Sequence, residues 1–152
     1  MSERLSKDFS ANEFRCNCCG RVMVDEKLVQ GLQKLRDRVF LPITVTSGYR
    51  CKQKNDSLPG AATNSRHLTG QAADIACAMP LLRFYFECLA IPEFQGIGLY
   101  IDGRFVHVDT REKRARWGRV AGKYVPILRA LEALKASKKD ADTNPDIPIK
   151  SS

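Results

Sequence analysis

A chain of 152 residues with 43% hydrophobic and 28% charged content is long enough to bury one core and too short for two independent ones. That balance excludes disordered and fibrous classes, and no stretch approaches membrane-spanning length, so membrane insertion is not expected. The net charge of +8 draws the surface toward polyanions, which include nucleic acid, anionic lipid and anionic cell-wall polymer.

Residues 1–14 lack the apolar core of a secretory signal, so the product is expected to be made and initially kept in the cytoplasm. Leu28, Leu32, Leu35 and Val39 recur at helical spacing behind Asp25 and Glu26, which predicts an amphipathic helix over 25–39. After Pro42 the β-branched run Ile43 to Ser47 reads as a strand ending in a turn at Gly48. Residues 51–67 show no apolar periodicity and read as a long loop, the kind of segment that carries function.

Beyond Gly70, a short apolar run with Asp74 inside it predicts a mostly buried strand, and Pro80 opens a helix over 80–90. Gly96 to Ile101 and Arg104 to Asp109 flank Asp102-Gly103, a strong signal for a two-residue hairpin turn. Arg111, Lys113, Arg114, Arg116 and Arg119 read as a solvated basic face. A last helix is expected from Val125 to about Ser137, giving a domain over 1–137 and a disordered tail over 138–152.

Six cysteines are many for a cytoplasmic chain. Cys77 and Cys88 sit among apolar residues and read as core thiols. Cys16, Cys18 and Cys19 cluster, and Cys51 is able to approach them; buried thiols, a disulfide or a second metal all remain open, because the CxCC run lacks the paired CxxC signature.

The chain holds only two histidines. Alternation along the second hairpin strand puts Phe105, His107 and Asp109 on one face. An ionised Asp74 within its apolar strand costs several kcal/mol unless a cation compensates it. Two imidazoles and one carboxylate match a catalytic zinc site, which keeps a fourth position for water. From spacing alone a metal and a set of ordinary satisfied side chains are equally good readings.

Ser65-x-His67-x-x-Gly70-x-Ala72-x-Asp74, preceded by Ser47-Gly48-Tyr49-Arg50 and followed by Phe105-Val106-His107-Val108-Asp109 and Ala115-Arg116-Trp117, resembles the M15 family of zinc D-alanyl-D-alanine carboxypeptidases and phage endolysins. The likeness runs from about Phe9 to Trp117. It implies a small α+β domain whose antiparallel sheet carries the site, with zinc held by His67, Asp74 and His107. It implies that Arg50 contacts substrate or its developing oxyanion, with Ser65 in the binding shell; Tyr49 is included for adjoining Arg50. Many relatives place an acidic base three residues before the last histidine, where this chain has Arg104.

Asp109 is the chosen general base, roughly 7 Å along the strand from His107, with orientation of a zinc-bound imidazole as its alternative role. Asp102 is set aside because its place in the turn already explains it, and Trp117 is expected to pack in the core. The implied activity is hydrolysis of peptide bonds in peptidoglycan stems, by a monomer acting on the wall after release and encoded by a phage or prophage. The competing readings are an inactive zinc-containing wall-binding module and a nucleic-acid-binding zinc protein, the latter disfavoured because no finger spacing or recognition helix is present.

Overall fold

The computed structural model describes residues 2–142. A 3-10 turn at Ala11–Phe14 leads into α1 (Glu26–Val39), β1 (Ile43–Ser47), α2 (Lys52–Ser57), a second 3-10 turn (Arg66–Thr69) and β2 (Ala72–Cys77). There follow α3 (Leu81–Leu89), β3 (Gly96–Tyr100), β4 (Phe105–Asp109), β5 (Ala115–Val120), β6 (Lys123–Val125) and α4 (Ile127–Asp142). The strands form one sheet in the order β1-β2-β4-β3-β5-β6, antiparallel except for the parallel pair β3 and β5. This is the expected α+β architecture.

Period-two alternation divides the sheet into a packing face and a chemical face. Ala73, Ile75, Val106, Val108, Ile97 and Leu99 are wholly buried on the first, where Leu28, Leu32 and Leu35 of α1 and Phe84 and Cys88 of α3 join the same core. Burying each Leu, Ile or Phe contributes about 1.5–3 kcal/mol. Helix α4 closes on β5 where Gly118 has no side chain: a Cβ there would lie 2.2 Å from the Ala130 methyl.

Four expectations differ from the structure. The 51–67 segment contains α2, a polar helix without periodicity; Cys51 caps it by accepting from the Lys54 amide, and buried Asn55 ties it to the Ala62 carbonyl. The hairpin turn spans four residues, 101–104, because Tyr100 pairs with Phe105 and Arg104 takes a left-handed φ of 55°. Within the basic stretch Arg116 and Arg119 belong to β5, which with β6 forms the sheet's far edge. Helix α4 runs to Asp142, past the expected start of the tail, and the remainder of that tail lies outside the described residues.

Candidate active site

On the chemical face, strand register assembles the site in rows. Ser47 faces Asp74, Asp74 faces His107, His107 faces Gly98, and Gly98 faces Trp117, so one row crosses five strands. The row beside it holds Ala72, Asp109, Gly96 and Ala115. The row on the other side holds Phe105, Tyr100, Arg119 and Tyr124. His67 enters from outside the sheet, on the second 3-10 turn, whose capping residue Ser65 accepts from the His67 amide.

His67, Asp74 and His107 are all buried, and each offers a donor atom within 4.8 Å of the others. Their proton inventory shows what they can hold. His67 Nδ1 lies 2.7 Å from the Gly48 carbonyl, which only accepts, so Nδ1 carries the hydrogen and Nε2 presents a lone pair to Asp74 Oδ1 at 3.2 Å. His107 Nε2 lies 2.7 Å from Asp109 Oδ2, which fixes the opposite tautomer and turns Nδ1 toward the same Asp74 oxygen at 3.1 Å. Two lone pairs and a carboxylate oxygen thus converge, and a cation among them resolves their repulsion.

The local pKa values respond to that arrangement. Burial pushes the His67 pKa down, with Asp74 only partly opposing it. Burial also lowers that of His107, but the hydrogen bonds to Asp109 and Asp74 outweigh it and the net shift is upward. Asp74 stays ionised: burial disfavours its charge, yet His67 and His107 hold its carboxyl well below the usual range. His67 and Asp74 are thus held in their metal-binding forms, neutral imidazole and ionised carboxylate, and His107 joins them by giving up a proton on ligation, so the residues present fit a divalent ion.

Arg50 hydrogen-bonds Asp74 Oδ2 at 2.9 Å and Ser47 Oγ at 3.0 Å, so it occupies the carboxylate oxygen that the histidines leave. Asp109 is wholly buried and saturated. Its Oδ1 accepts from the Arg111 amide and Nε, and its Oδ2 from Arg111 Nη2 and His107. Burial opposes its charge, but His107 and Arg111 prevail and hold the carboxyl far below the ordinary range. With every face of the carboxylate engaged, Asp109 holds the His107 ring, the alternative role expected of it.

The triad lies in a cleft of about 740 Å³ lined also by Arg50, Ser65, Tyr100, Asp102, Arg111 and Trp117. Tyr49 does not line it and faces a smaller cavity of about 290 Å³ beside Asn12 and Lys54. Trp117, expected in the core, lies half-buried against His107 with ring centroids 5.2 Å apart, under the Arg111 guanidinium at 4.9 Å. Two glycines make this possible. A Cβ on Gly98 would meet the indole at 2.6 Å, and one on Gly96 would meet the Asp109 carboxylate at 2.2 Å. Glycines two apart inside a strand were the available signal for both close approaches.

The family model of Peptidase M15 matches residues 7–109, a span that contains the whole His67, Asp74 and His107 triad. This chain belongs to the peptidase M15 family. Its site is accordingly that of a metallopeptidase, with the two histidines and the aspartate as the candidate metal-binding arrangement. No curated protein matches the chain. The M15 match stops at Asp109, so β5 with Trp117 and Arg119, which completes the cleft wall, lies outside it.

Proposed function

We propose that this M15 peptidase is zinc-dependent and hydrolyses peptide bonds in peptidoglycan stem peptides. The observation that carries the reading is the convergence, among the described residues, of three protein donors, two of them oriented imidazole lone pairs, on the floor of an open cleft. Structural zinc sites close with four protein ligands, whereas catalytic ones keep one position open. When bound, zinc supplies Lewis acidity that polarises a carbonyl and makes water nucleophilic near neutral pH.

The chain's own residues do the rest. Asp109 and the Gly48 carbonyl hold the two rings in the tautomers that the ion requires. The cleft carries Arg50, Arg66, Arg111 and Arg119, while Asp74 and Asp102 are its only acidic lining residues among those described. That charge suits a peptide bearing carboxylates, as a wall stem ending in D-alanine does, and Arg50 is placed beside the triad to pair with one. Asp102, on the cleft rim with its Oδ2 accepting from the Gly122 amide, takes the role of proton acceptor that Asp109 is too saturated to fill.

Digestion of purified peptidoglycan followed by mass spectrometry of the fragments tests the reading and reports the bond cut. New amino termini that vanish on chelation and return with zinc are the expected result. Binding to walls with no new termini would identify an inactive wall-binding module instead, and undiminished activity in metal-free protein would overturn zinc dependence.

A further inference from the structure

The cysteines that the peptidase chemistry does not use form a second constellation. The sulfurs of Cys16, Cys19 and Cys51 all lie within 4.8 Å of one another, and Cys18, exposed in the same turn, stands just outside that group. A tetrahedral site with Zn–S of about 2.3 Å puts its sulfurs roughly 3.8 Å apart, so a small inward adjustment suffices for these three, and the exposed Cys18 side chain turns inward to complete the set.

The backbone around these sulfurs is shaped for thiolates. Cys16 and Cys19 are the ends of a Cys-x-x-Cys-Gly turn: the Cys16 amide donates to the Arg21 carbonyl at 2.9 Å, and the Gly20 amide returns to the Cys16 carbonyl at 2.9 Å. Gly20 holds a φ of +75°, the left-handed conformation that a side chain would strain. The Cys51 amide points at Cys16 Sγ at 3.4 Å, and the Lys54 amide donates to Cys51 Sγ at 3.5 Å. Cys16 is only 1% exposed, and a thiolate in so enclosed a place is stabilised by a cation.

We propose that Cys16, Cys18, Cys19 and Cys51 bind a second, structural zinc ion that fastens the N-terminal segment to the strand end carrying Gly48 and Arg50. Each thiol gives up its proton to solvent as it ligates the metal, and no redox step is involved. Four protein sulfurs leave no place for substrate, which makes the site structural. What it secures is the floor of the cleft. Cys51 follows Arg50 directly, the Tyr49 amide bonds the Phe14 carbonyl at 2.9 Å, and a Cβ on Gly48 would meet Phe14 Cα at 2.5 Å. The same Gly48 accepts from His67.

The test uses the full chain purified under reducing conditions, with zinc counted by plasma mass spectrometry and cobalt(II) substituted for optical spectra. Wild type is expected to hold two zinc ions, and a His67→Ala/His107→Ala variant one. That variant's cobalt form keeps the thiolate-to-cobalt charge-transfer band, which a Cys19→Ser/Cys51→Ser variant loses. Wild type needs no variant to fold and must itself show the band. One zinc without the band, with the thiols free to a thiol reagent or joined in a disulfide by mass, overturns this site and leaves the histidine centre standing. One zinc with the band does the reverse.

Discussion

The histidine centre and the cysteine cluster lie next to each other in the chain at Arg50 and Cys51, yet they are built in opposite ways. The first draws on β2 and β4 at the middle of the sheet plus one 3-10 turn, and its two imidazoles are held by oxygens that accept from them. The second sits on loops and a helix cap, and its sulfurs receive hydrogen bonds from backbone amides. Rigid strands serve a centre that must leave one side open, while a short turn wrapped around its own sulfur serves one that can close completely. Position on the sheet therefore separates chemistry from fastening.

The largest expected effect comes from removing a donor at the open centre. His107→Ala should lower hydrolysis by about a thousandfold or more, since Lewis-acid stabilisation is worth several kcal/mol. Wall-fragment release measures the loss, and the cobalt-thiolate band should be unchanged. Asp102→Asn should reduce kcat by about a hundredfold, the lower range for a lost acid–base group. Zinc content stays intact, and unchanged kcat would remove Asp102 from the chemistry.

Asp109→Asn should weaken zinc binding at the histidine centre by about 10–100-fold, the usual consequence of losing a ligand's orienting partner. Competition with a chromophoric chelator reads it, and activity should recover at high zinc if the residue only positions His107. Ser65→Ala removes the cap of the turn that carries His67 and should cost about 1 kcal/mol in a denaturant melt. Cys77→Ser is the smallest change: the residue stands outside both donor sets, so zinc stoichiometry should not move. A loss of metal there would break the division between the two centres.

The elements that sequence discloses here are those whose packing imposes a period. Leu28, Leu32 and Leu35 spell out α1, and Val106 and Val108 alternating with His107 spell out β4. Helix α2 escapes because its residues face water and its anchors are a thiol cap and one buried Asn55. Strand β5 is hidden among arginines whose charges suggest a solvated face. In the folded protein Arg111 is forked onto Asp109, and Arg116 donates to the Gln95 carbonyl at 2.6 Å. For Asp109 the strand alternation offers two roles, base and orienter of the imidazole, and the Arg111 fork that bears on the choice is a fact of three dimensions. The CxCC run likewise conceals a CxxC-Gly turn until Gly20 is seen in its left-handed conformation.

Both carboxylates beneath the cleft arrive already matched, Asp74 with Arg50 and Asp109 with Arg111. An ion entering above them consequently meets a floor that is close to electroneutral, and its double charge is cancelled only in small part. A metal so lightly neutralised remains a strong electrophile, and it adds to the pull of the surrounding arginines on any negatively charged peptide end.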